Sequence, residues 1–473
     1  MLKFIIKNVL FPAALTACAL ALQGAGNIVA AAENHPAPAA ISGAKAVETE
    51  SGGLFTLQRC IEIALDRNPE IAASKWDIAA ADARYDGAKS AFWPQFSIEG
   101  GYQRSLDDQR LIAARYNGEP GVFDRDLVRG DVMARVNLFA GGRMISEADA
   151  ARKLSAAEKK KFIRTRDELI YAVTGVYFSV LGQQKILESL KFSHHALDLN
   201  RQRVAKLYEA QKVAKVDLLR TEVRLSDVNQ SILKEENTLA IQKRLLFNLM
   251  GYDAVPENAR LEDKASLPAE TALDMGRLIE TALKNRPDFQ AAKDRVAAQT
   301  SRVSAARAGH LPSINLVGTY GVRYAPRPDD VGKYPGTKED ALSTEDVGSI
   351  GIFLSVPLFE GGRVSAKVRE EAALLAAAQD RLKKLELQIR QETEAAALDV
   401  LSNTARFKAT EKSIEQAKES LRIESMKYEL GKGSITDLLD AQAALLQAET
   451  GNCRTCIDFH ISIARLKLAT GGE

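Results

Sequence analysis

The chain has 473 residues, a formal net charge of +2, 27% charged residues, four cysteines and 14 prolines. Near-neutral charge, with no basic block interleaved with aromatics, argues against a nucleic-acid partner. The length would hold about three ordinary domains, but the scarcity of proline suits a largely helical chain, and the repeat described below argues for one architecture built twice.

The first residues read as an export signal. Lys3 and Lys7 precede the apolar stretch 9–22, and Ala30-Ala31-Ala32 before Glu33 suits a small-residue cleavage site. Leu15-Thr16-Ala17-Cys18 also resembles a lipoprotein box, but the residues after Cys18 stay apolar, which favours cleavage near Ala32 over a lipidated Cys18. Residues 1–32 are therefore expected to be a signal peptide and 33–53 a flexible leader. Beyond them no apolar run reaches the roughly 18–20 residues of a membrane helix, so the mature chain is either soluble or crosses a membrane as strands.

Residues 55–92 read as one helix ending at Pro94. Phe96, Ile98, Gly100 and Tyr102 then alternate with polar neighbours, the period of a strand. A polar stretch, 105–126, reads as a long loop, and Val132, Ala134, Val136 and Leu138 give a second strand. Gly141 and Gly142 turn the chain into a helix that runs from about 143 to a tip near 211. Leu190, Leu197 and Val204 recur at seven on it, as do Leu218, Leu225, Ile232, Leu239 and Leu246 on the returning arm, a period that predicts helices supercoiling on one another. Residues 251–273 read as an irregular connector.

The second half repeats the plan. A helix over 274–309 leads to strands at 314–322 and 350–358, with a loop over 325–346. Gly361 and Gly362 open a long helix over 363–430, and a last helix covers 434–469. Tyr208-Glu209 and Asp217-Leu218-Leu219 match Tyr428-Glu429 and Asp437-Leu438-Leu439 at 428 − 208 = 220, and Leu138-Phe139-Ala140-Gly141-Gly142-Arg143 matches Leu358-Phe359-Glu360-Gly361-Gly362-Arg363 at the same offset. The expected organisation is one repeat over 54–250, the connector 251–273, and a second repeat over 274–473. At ~1.5 Å per residue each long helix spans roughly 100 Å, so all four strands collect at one end and both tips at the other. Four strands cannot close a barrel, and open edges cannot face lipid. The pattern therefore predicts four staves of an oligomeric barrel, as an eight-stranded dimer or a twelve-stranded trimer.

Bland readings cover the other conspicuous residues. No Lys-Ser/Thr follows either Gly-Gly, which excludes a phosphate loop and leaves a strand-to-helix corner. His194-His195 is a surface pair. Cys453-x-x-Cys456 has no second pair at zinc spacing and reads as helix packing, with an i,i+3 disulfide as the alternative. No nucleophile motif, metal constellation or cofactor fingerprint is present, so no enzyme and no cofactor are expected.

The doubled Leu-Phe-x-Gly-Gly-Arg, the doubled Tyr-x8-Asp-Leu-Leu tip and the long duplication together resemble the TolC-like outer-membrane efflux and secretion channel family over roughly 55–470. The resemblance implies a mainly α fold with a β-barrel portion: a homotrimer in outer-membrane lipid whose twelve-stranded barrel continues into a periplasmic α-helical coiled-coil barrel, with the connector in an equatorial belt. It implies a passive efflux duct for small molecules, joined by a periplasmic adaptor to an inner-membrane RND or ABC transporter. It casts Asp437 and Asp440 as lumen gate residues, Asp217 and Tyr428 as a pair linking the coils, and Lys212, Gly431, Lys432 and Gly433 as tip residues met by the adaptor. Gly433 stands where the member best known for its gate carries Arg. The alternatives are a type I protein secretion duct of the same fold and, from another class, a periplasmic coiled-coil scaffold.

Overall fold

The computed structural model describes residues 54–112, 122–256, 259–262, 273–324 and 344–472. The signal peptide, leader and Cys18 of the sequence reading lie outside them. The chain divides into two units, 1–55 with 256–260 and 56–255 with 261–473. The first contains the short strand β1 (Leu54–Phe55); the second holds all the helices and the four long strands.

Where one helix is expected over 55–92, the structure has two: α1 (Leu57–Arg67) and α2 (Pro69–Ser90). The break is chemical. The residue before a proline is driven out of helical geometry, and Asn68 sits extended at ψ 127° while Pro69 takes the first helical position. The Asn68 side chain accepts from the Glu70 amide at 2.8 Å and donates to the Leu249 carbonyl at 2.9 Å. The second half breaks the same way, between α5 (Met275–Asn285) and α6 (Pro287–Arg307). Here Arg286 replaces asparagine. It is 2% exposed, forks onto Asp288 at 3.1 and 2.7 Å, and reaches Glu392 at 2.7 Å.

The strands are longer than their alternation suggests. β2 (Gln95–Ile112) and β3 (Val122–Ala140) take in most of the expected 105–126 loop. After the short β4 (Arg260–Leu261) come β5 (Ser313–Tyr324) and β6 (Thr344–Ser355). β6 stops before Pro357, which has no amide to donate; Val356 and Leu358 lie beyond it. The four long strands form one antiparallel sheet in the order β2-β3-β5-β6. Partners across such a sheet share a face. Ile98, Val132 and Tyr320 form one row of the apolar face, and Val136, Leu316 and Ile352 another. Ala134 and Leu354 lie on this face, where Ile98 and Ile350 are 74% and 78% exposed. The opposite face carries Glu99, Asp131, Arg135, Asn315 and Ser355; Thr319 meets Ser349 at 2.8 Å and Arg323 meets Asp131 at 2.5 Å.

Each hairpin feeds a long helix. Gly141-Gly142 and Gly361-Gly362 all have positive φ, 59–83°, a backbone only glycine adopts without cost. They open α3 (Arg143–Glu209) and α7 (Arg363–Glu429), each 67 residues long. The chain returns through α4 (Lys215–Leu249) and α8 (Ile435–Thr470). Leu190, Leu197 and Val204 of α3, Val228 and Ile232 of α4, and Ile435, Leu438 and Leu439 of α8 pack into one buried cluster. Each fully buried side chain of this kind contributes about 2 kcal/mol. Gly182 of α3 lies against Ile457 of α8, where a Cβ would overlap its side chain. Nearer the strands, Asp149 ties α3 to α6: Lys153 bonds it at 2.6 Å and the Ser301 hydroxyl donates at 2.7 Å, which holds its carboxyl down at about 2.

Among the described residues no helix is long and apolar enough to cross a membrane. Cys60, Cys453 and Cys456 are not joined in a disulfide among the described residues, and burial pushes Cys60 up to about 12.

Candidate functional site

The two tips are built on one hydrogen-bond pattern. At the first, Gln211 donates to the Tyr208 carbonyl at 2.8 Å and Lys212 to the Leu207 carbonyl at 2.8 Å. At the second, Gly431 donates to Tyr428 at 3.1 Å and Lys432 to Lys427 at 2.8 Å. This is the Schellman closure of a helix, which needs a left-handed residue after the cap. Gly431 takes φ 70° freely; Gln211 takes φ 59° as the one positive-φ non-glycine among the described residues. A left-handed conformation costs a side-chain-bearing residue roughly 1–2 kcal/mol. Gln211→Gly is expected to steady the first tip by about 1 kcal/mol, seen as slower amide exchange over residues 207–214; unchanged or faster exchange there would show that Gln211 is not strained.

Asp437 and Asp440 are oriented by their neighbours. Ile435, Leu438 and Leu439 point into the buried cluster, so Asp437 between them and Asp440 after them turn outward. Both aspartates are exposed, and neither makes a salt bridge among the described residues. Asp437 lies in the first turn of α8, behind the Ser434 cap that accepts from Thr436 at 3.1 Å, where its charge also suits the helix dipole. Lys212, Gly431 and Lys432 are exposed and Gly433 is half-buried. A Cβ on Gly433 would sit 3.0 Å from the Lys427 side chain and from the Tyr428 amide nitrogen, so the turn is tight at this residue.

Tyr428 is half-buried, and its hydroxyl has no hydrogen-bond partner among the described residues. Burial, then the charge of half-buried Asp217, pushes its phenol above the ordinary value, against the pull of Arg203. The structure thus brings Asp217 and Tyr428 near one another without a hydrogen bond between them. The bonds that do join the first tip to the second involve Arg203, Arg220 and Thr436, to which the sequence pattern assigns no role. Arg203 meets Glu429 at 3.3 Å, and Arg220 donates to the Thr436 hydroxyl at 2.8 Å. The repeat held the signal: at the 220 offset Arg220 stands opposite Asp440 and Arg203 opposite Ile423, charge differences between otherwise matched arms.

At the far end of the long helices the Gly141-Gly142 and Gly361-Gly362 corners join strand to helix. Among the described residues no group of His, Cys, Asp and Glu is arranged to hold a metal.

Residues 60–252 and 278–472 match the family model described as outer membrane efflux protein. The chain is similar to the outer membrane protein TolC of Vibrio cholerae, 24% identical over 409 residues that cover 86% of this chain and 89% of that one. It is also similar to the outer membrane protein OprJ of Pseudomonas aeruginosa, 26% identical over 436 residues that cover 88% and 84%. In fold it is similar to the outer-membrane channel OprN, with a TM-score of 0.73 at 22% identity over 88% of this chain and 90% of that one. Two matched segments that coincide with the two strand–strand–long-helix halves place the chain in the TolC-type outer membrane efflux protein family, as an outer-membrane channel and not an enzyme.

Proposed function

We propose that three copies form a passive duct through the outer membrane for small toxic solutes, with a periplasmic adaptor gripping the tips and an inner-membrane transporter supplying the energy. The observation that carries this reading is the open four-stranded sheet. Its edges, β2 and β6, would leave unpaired backbone groups in lipid, which a bilayer does not tolerate. Other copies therefore close it. Eight strands make a barrel just wide enough for its own side chains to fill, whereas twelve leave a lumen. The apolar stripes left exposed on α4, at Val216, Val223 and Ile241, and on α7, at Leu387, Leu398 and Leu401, support the same association along the helices. In this reading 1–32 is removed on export and 251–273 lies in a belt around the tunnel.

In a three-fold assembly Asp437 and Asp440 supply six carboxylates around one axis. Low-dielectric walls focus their field, drawing cations in and holding anions back. Asp437→Asn with Asp440→Asn removes the charge with little change in shape. Single-channel recording at low salt, where screening is weakest, should show lost cation selectivity and lost block by divalent cations in channels that still assemble as trimers. Unchanged selectivity and block would leave the aspartates as a solvated helix start.

The tips lie about 100 Å from the strands, at the far ends of 67-residue helices, where a periplasmic partner can reach them. Cysteines at Lys212 or Lys432 should cross-link to an adaptor in cells; cross-links confined to 251–273 would mean a side-on contact. Loss of the protein should sensitise cells to small toxic solutes. Unchanged sensitivity together with a missing secreted protein would assign the duct to type I secretion.

A further inference from the structure

A crevice of about 530 Å³ opens where the sheet meets the helices, between the ends of β3, β5 and β6 and the first turns of α3 and α7. That volume falls in the range of small-molecule sites. Ala140, Ser313 and Ser355 line it, and these three share one row of the polar face of the sheet. With the apolar face in lipid, the crevice opens on the lumen side of the junction.

Its chemistry is cationic on an apolar floor. Ala305, Leu311 and Val364 supply apolar wall. Arg363 is held by Glu360 at 2.6 Å, and Lys367 by Glu370 and Glu371 at 2.9 Å each. Glu371 also accepts from Gln299 at 2.6 Å. Burial pushes its carboxyl up, but the Lys367 and Gln299 hydrogen bonds, together with the charges of Lys367 and Arg302, outweigh burial and hold it below the ordinary value, so it stays charged and keeps Lys367 engaged. Arg143 reaches Glu147 only at 4.0 Å. Arg302 lines the same space from α6, close enough for its charge to help hold the Glu371 carboxyl down, and among the described residues makes no hydrogen bond or salt bridge. Four cations thus face three carboxylates, and Arg302, which feels Glu371 only through its field, is the guanidinium whose hydrogen bonds are open to whatever enters.

We infer that this crevice is a lumenal binding site for an amphiphilic organic anion, whose carboxylate pairs with Arg302 while its hydrocarbon covers Ala305, Leu311 and Val364. Arginine presents a planar fork that matches a carboxylate, and a charge-assisted bond there is stronger than a neutral one. The inference rests on the duct reading, since only closure of the sheet puts this face in a lumen. It is independent of the aspartates at the tip: 67 residues of helix, about 100 Å, separate the two, far beyond the reach of either field at physiological salt.

The test uses the purified trimer in a neutral maltoside detergent, titrated calorimetrically with octanoate, acetate and octyltrimethylammonium. Octanoate should bind. Acetate, lacking the chain that covers the apolar wall, should bind at least about tenfold more weakly, and octyltrimethylammonium should not bind at this site. Arg302→Ala should weaken octanoate at least about tenfold, and Arg302→Lys by less, because a charge remains without the fork. Arg302 is exposed on α6, so neither change threatens folding; trimer size and channel conductance are measured on the same samples. Conducting trimers whose octanoate affinity ignores Arg302, or which bind the cation equally well, would overturn the inference and leave the duct intact. Preparations that neither form trimers nor conduct would overturn the duct reading and the inference with it.

Discussion

Arginine at Leu316 is expected to cost about 2–4 kcal/mol and to prevent stable insertion, whereas arginine at Asn315 leaves assembly unchanged. The two residues are adjacent on β5 and differ only in the face they occupy. Leu316 shares its row with Val136 and Ile352, and its side chain points with the exposed Ile98, Ile350 and Leu354. A guanidinium there would sit in hydrocarbon with no partner. Asn315 lies across from Asn137 on the face that also carries Arg135 and the Arg323–Asp131 pair, where a further charge meets water and other charges. Heat-resistant trimers counted on gels from outer-membrane fractions would measure the difference. Equal damage from both substitutions would mean that neither face meets lipid.

The largest effect expected in the helical part is at Arg286. Replacing it by methionine keeps most of the volume and removes the fork that holds Asp288 and Glu392. Taking one partner from a buried pair costs about 3–5 kcal/mol, because the other charge is left without compensation. The Asp288 side chain is 22% exposed and carries that cost; Glu392 is half in solvent and adds little. The pH dependence separates this from simple loss of packing. Burial pushes the Asp288 carboxyl up, but Arg286, helped by the charge of Arg164 and the Phe289 amide, outweighs burial and holds it below the ordinary value. A depressed carboxyl stabilises the fold above its unfolded pKa, and that contribution fades as pH falls through the lower, folded value. The gap in unfolding temperature between the native chain and Arg286→Met should therefore be full at neutral pH and narrow in acid, below the ordinary aspartate range. A gap that is constant down to the acid limit would show that the side chain acts by filling space.

The coiled-coil layers were legible in the sequence because burial and period coincide. Leu190, Leu197, Val204, Ile232 and Leu438 stand at heptad positions and are buried together. The breaks at Asn68 and Arg286 were not anticipated, although Pro69 and Pro287 mark them. A proline at the first position of a helix fits the helical pattern on either side, so periodicity runs through the joint without a visible fault. The outer ends of β2 and β3 escaped notice for a different reason. Backbone pairing resumes beyond a register shift, with Gln109 opposite Asp124 and Arg110 opposite Phe123, without needing alternation in the side chains. At the tips, Asp437 and Asp440 could be located from the repeat. The strain at Gln211 and the Arg203 and Arg220 bridges depend on how two arms about 220 residues apart settle against each other, which no local pattern encodes.

The matched lengths of α3 and α7, 67 residues each, restrict how such a chain can drift. Seven residues added to one arm alone would carry its tip about 10 Å past the other and strip the Arg203 and Arg220 bridges. Any other number would also rotate the apolar stripe off its seam. Insertions and deletions here are tolerable only as paired events in whole heptads, with the returning helices following suit, so the two arms behave as a single heritable ruler whose halves cannot be recalibrated separately.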